Sequence, residues 1–286
     1  MEDIRDIFFE SLIDKAKKNK KIVLISVDMG SKIINDNLNH IKNRYFNVGV
    51  SESNAISFAA GLSNRGYIPF VYGISTFIFN RPRAQIRHDS IIGNNPINII
   101  GSGNGLTYPQ DGPSHHSIDD FMALSSLPNS TLAIPINEIS VKKTIKNCLL
   151  SKKTNFIKLD KGQIFQQNYA YDNGFLYSLK NNKKWIITSG FQNFNKKFSQ
   201  KYKDYSIGIL VITDAKENER FIKKHLYKFT DLVIHDETFT YGGLYSYIST
   251  ILALKLFKNI KNSTMRNQFI QLKNNRNELR KLYNAS

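Results

Sequence analysis

Six consecutive residues, Asp111-Gly112-Pro113-Ser114-His115-His116, gather a carboxylate and two imidazoles. Imidazoles are the side chains that exchange protons near neutral pH. Gly112 permits unusual dihedrals and Pro113 locks one, so the loop has a defined shape. It follows an apolar run, Ile97 to Ile100, and a glycine-rich link, Gly101-Ser102-Gly103-Asn104-Gly105. Loops after apolar strands are where α/β proteins place their chemistry. Taken alone, the loop is equally a turn carrying solvated histidines. Glu52 also has two readings: a first-turn acid complementing a helix dipole, or a buried acid that exchanges a proton with a bound ring. Phe77 and Phe79, placed at the end of the strand that follows Glu52's helix, read as core aromatics, or, with Glu52, as a slot for a flat heterocycle. Asp28, at a strand end, is a turn or cap residue or a member of the site.

The elements that must position these residues alternate. Ile4, Phe8, Leu12 and Ala16 predict a helix over 4–17. Ile22 to Val27 predicts a strand ending at Asp28-Met29-Gly30-Ser31, and Tyr45 to Val50 a second. A helix then opens at Ser51-Glu52-Ser53-Asn54 with Ala55, Phe58, Ala59 and Leu62 as its apolar positions. Ile68 to Tyr72 is the third strand and leads into Ser75-Thr76-Phe77. A helix follows over 81–92, with Pro82 tolerated only in its first turn. The fourth strand is Ile97 to Ile100. Beyond the loop come a helix near 117–124, a strand at Thr131 to Ile134, a helix from 138 to 150 and a strand at Phe156 to Leu159. This rhythm predicts a parallel sheet covered on both faces. Residues 162–180 lose it and read as a linker. A smaller α/β unit follows, with strands at Trp185 to Thr188, Ile207 to Ile212 and Asp231 to Ile234, and a long helix from Gly243.

Bulk properties set limits. The chain has 286 residues and 41% hydrophobic content, enough for two cores. No apolar stretch is long enough to span a bilayer, and the charged start lacks a signal-peptide core. The lone Cys148 excludes an intramolecular disulfide and a cysteine-rich zinc site. The expectation is a cytoplasmic protein that binds no membrane. The net charge of +17 points either to nucleic acid or to a lysine-rich composition covering solvated faces. The lysines are spread from Lys15 to Lys281 and are not interleaved with aromatics as a base-stacking platform would be. This favours the second reading and no nucleic-acid polymer, while leaving a basic surface for an acidic partner.

Four motifs in order carry a resemblance: Val48-Gly49-Val50-Ser51-Glu52-Ser53-Asn54-Ala55, Phe58-Ala59-Ala60-Gly61-Leu62, Ser75-Thr76-Phe77 and the Asp111–His116 loop. Together they resemble the pyrimidine-binding domain of transketolases and of the related 1-deoxyxylulose-5-phosphate synthases. His235-Asp236-Glu237-Thr238-Phe239 with Tyr241-Gly242-Gly243-Leu244 resembles the strand-to-helix corner of the transketolase C-terminal domain. Arg266-Asn267-Gln268-Phe269 through Tyr283 resembles that domain's last segment. The resemblance implies an α/β fold with a parallel-sheet pyrimidine-binding domain over 1–165 and a transketolase C-terminal domain over 166–286. The Gly-Asp-Gly that marks the diphosphate and Mg²⁺ site of these enzymes does not occur. The implied protein is the C-terminal subunit of a split transketolase. It would share thiamine diphosphate with a partner subunit that holds the diphosphate and Mg²⁺, in an α2β2 heterotetramer.

The resemblance also implies roles. Glu52 matches the glutamate that hydrogen-bonds the aminopyrimidine ring and stabilises its imino tautomer, and Phe77, with Phe79 beside it, the aromatic that stacks on it. Asp28 matches an aspartate near the thiazolium. Asp111 and His115 match residues that bind sugar hydroxyls and assist proton transfer, and His116 follows a double-histidine variant. Lys161 matches an arginine at the phosphate end, with Lys32 near it; a lysine is a point charge and does not replace a bidentate arginine. Upstream of Asp111 the family carries a His or Arg for the substrate phosphate, but here Gly103-Asn104-Gly105 is uncharged. The implied activity is transfer of a two-carbon ketol unit between sugars, with a nucleotide-linked or unphosphorylated acceptor as the expectation. Three alternatives stay open: a deoxyxylulose-phosphate-synthase-like subunit, a 2-oxo acid dehydrogenase β-type subunit, which lacks the Asp111–His116 motif, and a non-catalytic basic regulatory subunit, which has no need of Glu52, Asp111 and His115.

Overall fold

The structure, a computed structural model, describes residues 3–162, 169–180, 183–190, 200–226, 229–252, 260–265, 275–276 and 278–279. The chain divides into two compact units. The first comprises Met1–Asn104 with Ser126–Ile164, and the second Gly105–Ser125 with Phe165–Ser286.

The first unit is an α/β fold on a six-stranded sheet. Its strands are β1 (Ile22–Ser26), β2 (Tyr45–Asn47), β3 (Ile68–Ile74), β4 (Asn98–Ser102), β5 (Ser130–Ala133) and β6 (Thr154–Leu159). Their order is β2-β1-β3-β4-β6-β5, and every pairing is parallel. Strands β1, β4 and β6 are buried along their whole length, as parallel strands covered on both faces must be. The helices are α1 (Ile4–Lys18), α2 (Lys32–Asp36), α3 (Leu38–Ile41), α4 (Glu52–Asn64), α5 (Ser75–Asn80) and α6 (Arg83–Gln85), which runs into a π-helical stretch, Ile86–Ile92; later in the chain come α7 (Phe121–Ser125), in the second unit, and α8 (Glu138–Leu150). Helix α1 buries Ile4, Ile7, Phe8, Phe9, Leu12, Ile13 and Ala16, a wider stripe than its four-residue repeat alone predicts. Each large side chain so buried contributes about 1.5–3 kcal/mol. Helix α8 begins with a capping box between Asn137 and Ser140, worth about 1 kcal/mol.

The second unit carries a mixed sheet of β7 (Ala170–Asp172), β8 (Phe175–Ser178), β9 (Lys184–Thr188), β10 (Ser206–Leu210), β11 (Asp231–Phe239) and β12 (Ile260–Met265), ordered β12-β11-β9-β10-β8-β7. Strands β7 and β8 form an antiparallel hairpin within the stretch that reads from the sequence as a linker. Its turn is Asn173-Gly174, both at positive φ, the residue pair that favours a two-residue hairpin turn. The helices Ala215–His225 and Leu244–Leu252 complete the unit.

Residues 105–125, which the sequence assigns to the first domain, pack within the second unit. Hydrogen bonds explain this: Phe239 N donates to Ile118 O at 2.9 Å and Met122 N to Gly242 O at 2.8 Å. Leu106 and Ile118 also share a buried cluster with Phe239 and Leu279. The motif Arg266-Asn267-Gln268-Phe269 lies outside the described residues, as does most of the segment to Tyr283. Among the described residues no helix is long and apolar enough to cross a membrane.

Candidate active site

Parallel strands point all their carboxyl ends to one edge, so the topology of the first unit gathers its candidate residues there. Asp28 follows β1, Glu52 follows β2, Phe77 follows β3, Gly103 follows β4 and Lys161 follows β6. Strands β1 and β3 are neighbours while β2 lies on the far side of β1. The chain therefore reverses its direction of travel across the sheet at β1, and helix α4 crosses back over it with Glu52 in its first turn.

Glu52 is 6% exposed. Its Oε1 accepts a 2.7 Å hydrogen bond from Arg81 Nη1. The Arg81 guanidinium lies over the Phe77 ring, 4.1 Å from its centroid. One planar cation thus brings together the carboxylate and the aromatic face. Phe77 and Arg81 are four residues apart on a helical turn, which aligns them on one face. Sequence reasoning does not single out Arg81. The signal that could have found it is that same four-residue spacing from Phe77, once the aromatic is placed on a helix and not at a strand end.

Phe79 differs from its expectation as a slot wall. It is fully buried, packs edge-on to Phe156 at 5.8 Å, and lies against Gly101, where an added Cβ would sit 2.5 Å from its ring. Two residues along a helix face nearly opposite ways, so Phe77 and Phe79 cannot line one slot. Beside them Ser75 Oγ donates to Gly103 O at 2.5 Å, tying the start of α5 to the link after β4.

Asp28 is exposed and held at φ 57°, in the left-handed region. Its N–H donates to Asn47 Oδ1 at 3.0 Å, and Asn47 Nδ2 donates back to Asp28 Oδ1 at 3.3 Å. Asn47 Oδ1 also accepts from Gly49 N. One side chain at the end of β2 therefore fixes both the Asp28 corner and the segment that launches α4. Lys32, at the start of α2, and Lys161 are both exposed.

Asp111, His115 and His116 belong to the second unit. Gly112 adopts φ 76°, ψ −170° and leads into the turn Pro113–His115. Asp111 is exposed and His115 half-buried, with its Nδ1 3.0 Å from Ser114 Oγ and its ring edge-on to Tyr108 at 6.3 Å. His116 is 1% exposed, and neither ring nitrogen meets a hydrogen-bond partner in good geometry. Burial pulls its pKa below the usual imidazole range, outweighing the raising effects of Glu237, the Tyr108 carbonyl and Asp111. His116 is therefore held neutral.

The loop begins on a second feature that the sequence does not reveal. Glu237, at the end of β11, accepts from Arg276 Nε at 2.8 Å (Oε1) and 3.0 Å (Oε2), from Arg276 Nη2 at 2.5 Å, and from Leu106 N at 3.0 Å. Gly105, at φ 58°, lies so close to this carboxylate that any side chain would collide with it. Next to it, Asp236 accepts from Ser189 N and Oγ and from Thr238 Oγ. Its burial raises its pKa against those donors. The glycine before Leu106 is the available signal: a glycine at a positive-φ position marks close backbone approach. Among the described residues no group of three or more His, Cys, Asp or Glu is placed to hold a metal ion.

Comparison with known proteins gives this geometry a context. Curated relatives include a 1-deoxy-D-xylulose-5-phosphate synthase from Desulfotalea psychrophila, 35% identical over 140 residues, which are 49% of this chain and 21% of that protein. Another is one subunit of the apulose-4-phosphate transketolase of Phocaeicola vulgatus, 28% identical over 50% of this chain and 46% of its own length. The matched region spans only 21–27% of the synthases. Among solved structures, a split gene transketolase described as an inactive beta4 tetramer aligns with TM-score 0.81 at 20% identity, covering 99% of this chain and 94% of that one. A transketolase from Leishmania mexicana aligns with TM-score 0.78 at 14% identity, covering 99% and 43%. At these identities the structures establish a shared fold. Residues 2–164, more than half of the chain, match the family described as Transketolase, pyrimidine binding domain; the six-stranded all-parallel sheet with its helices agrees with that match, and the chain belongs to this family.

Proposed function

We propose that the chain is the pyrimidine-binding subunit of a thiamine-diphosphate-dependent transketolase that moves a two-carbon ketol unit between sugars. The observation that carries this reading is the buried Glu52 carboxylate set beside the Phe77 ring by a single planar nitrogenous cation. A carboxyl group next to an aromatic face fits the aminopyrimidine ring, which offers a ring nitrogen that can share a proton with the carboxyl and a face for stacking. Thiamine diphosphate supplies the carbanion chemistry when bound, and the protein orients it. Glu52 shares a proton with the ring nitrogen in a hydrogen bond, and Phe77 sets the plane of the ring. Asp28 faces the thiazolium side. Asp111 and His115 bind sugar hydroxyls and move protons there, with His116 behind them as a neutral ring. Lys161 and Lys32 serve the distal end of the substrate. Phe79 has no part in this reading, because it is consumed by the core.

The diphosphate and Mg²⁺ belong to a partner subunit in an α2β2 heterotetramer of cytoplasmic location. A relative named as one subunit of a transketolase and a solved structure titled as a split gene transketolase both support a two-chain arrangement. The test mixes the chain with its candidate partner, thiamine diphosphate and Mg²⁺. Cofactor binding is expected only with both chains. Glu52→Ala is expected to lose about 10²-fold or more in turnover with assembly intact; undiminished turnover in that variant rejects the role given to Glu52.

The acceptor is proposed to be nucleotide-linked or unphosphorylated, because the link Gly103-Asn104-Gly105 offers no charge and Gly105 leaves no room for a side chain. Ordinary efficiency with xylulose 5-phosphate and ribose 5-phosphate would sink that part. A deoxyxylulose-phosphate-synthase-like reaction is the second reading, supported by the number of curated relatives with that name.

A further inference from the structure

Arg81 takes up both groups that the proposed function gives to the cofactor ring. Its Nη1 donates to Glu52 at 2.7 Å, and its guanidinium covers the Phe77 ring at 4.1 Å. A guanidinium is flat, delocalised and edged with N–H donors. It meets a carboxylate edge-on and an aromatic ring face-on, as an aminopyrimidine does. The two partners differ sharply in exposure. The Glu52 side chain is 7% exposed and fixed in the first turn of α4, whereas that of Arg81 is 49% exposed at the end of α5. The cation can rotate into solvent without disturbing the core, and the carboxylate cannot follow it. The contact between them is a single hydrogen bond, not the two-pronged clamp that arginine makes when it is built to stay.

We propose that Arg81 is a displaceable plug of the pyrimidine slot. It keeps the buried Glu52 carboxylate paired and the Phe77 face covered until the cofactor ring replaces it at both contacts. The inference rests on the reading of Glu52 and Phe77 as the ring's partners. Its consequence is competition: every ring that binds must first displace the guanidinium. The cation is half exposed, so its ion pair with the buried carboxylate and its cation–π contact are each screened by solvent on one side, and the competition amounts to about a fivefold loss of apparent affinity.

The experiment uses the chain assembled with its candidate partner, free of thiamine diphosphate, and a neutral probe, the free aminopyrimidine alcohol that forms the ring half of thiamine, so that removing a positive charge does not by itself alter binding. Dissociation constants are measured by NMR titration for the wild type, Arg81→Met, Arg81→Lys and Glu52→Ala. Arg81→Met, which keeps bulk and loses the planar cation, is expected to bind the probe about fivefold more tightly. Arg81→Lys, which keeps the charge without the plane, is expected to fall between Arg81→Met and wild type. Glu52→Ala is expected to bind less tightly than wild type. Equal or weaker binding in Arg81→Met overturns the plug, and so does absence of binding in both. If Glu52→Ala binds like the wild type, the pyrimidine-slot reading itself fails; if it binds more weakly while Arg81→Met gains nothing, only the plug fails.

Discussion

Removing the Arg276 side chain should destabilise the second unit far more than an ordinary surface substitution. The Glu237 side chain is 4% exposed and that of Arg276 16%. Three N–H contacts from the guanidinium and one from Leu106 N satisfy the carboxylate. In Arg276→Ala those three contacts disappear and a buried carboxylate loses its cationic partner. Breaking a buried pair in this way costs about 3–5 kcal/mol, which corresponds to a fall of about 10 °C in Tm. The assay is built into the sequence. Trp185 is the single tryptophan, fully buried in β9, and β9 pairs directly with β11, which carries Glu237. Urea unfolding followed by tryptophan fluorescence therefore reports this unit. The double variant Glu237→Gln/Arg276→Met replaces both charges and should recover most of the loss, since the penalty comes from the orphaned carboxylate and not from the lost attraction. A shift below about 1 kcal/mol in Arg276→Ala would refute the claim that this pair is desolvated.

Two further outcomes follow from the same packing. His116 is held neutral with its pKa lowered by burial; below about pH 6.5 the unfolded chain takes up a proton that the folded chain refuses. Its stabilising effect is complete above that pH and is lost as pH falls toward the depressed folded value, so His116→Phe should lose less stability between pH 7.5 and 5.5 than wild type. Equal losses in Trp185-monitored urea midpoints would contradict this. Gly101→Ala should destabilise the first unit by about 1–3 kcal/mol, because the new Cβ would lie 2.5 Å from Phe79 Cζ and Ser75 Oγ; a wild-type melting curve by far-UV circular dichroism would show that the core yields freely there.

The alternation of apolar runs with helical repeats makes the parallel sheet legible, since each buried strand is a continuous apolar segment. The position of Glu52 is legible too, because a strand followed by Ser-Glu-Ser-Asn announces a helix start. What the residues do not announce are the contacts made across long sequence separations. Arg81 meets Glu52 over 29 residues and Glu237 meets Leu106 over 131, and no periodicity encodes such pairs. Ending β3 at Tyr72 and treating the helical turn Ser75–Asn80 as a strand end is what misplaces Phe79. A period of 2 puts Phe77 and Phe79 on one side; a helical period separates them. The hairpin β7–β8 escapes the sequence for a related reason, its three- and four-residue strands being too short to establish an alternation.

Asp28 is the residue for which a local role and a chemical one stand level, and the structure supplies variants that separate them. Its φ of 57° is a left-handed conformation that Asn tolerates and Gly adopts freely. Its Oδ1 accepts from Asn47 Nδ2, a contact that the side-chain carbonyl of an asparagine in its place would reproduce. Asp28→Asn should therefore fold within about 0.5 kcal/mol of wild type. Asp28→Gly loses that contact but relieves the side chain of its left-handed strain, so it should lie within about 1 kcal/mol. Neither variant keeps a carboxylate at the carboxyl edge of β1. If Asp28 only shapes the corner, both variants assembled with the partner subunit will bind thiamine diphosphate as the wild type does. If the carboxylate faces the thiazolium, both should bind it more weakly and to a similar degree, because both lose the same negative charge next to a cationic ring. A loss confined to Asp28→Gly would assign the residue to the Asn47 network alone.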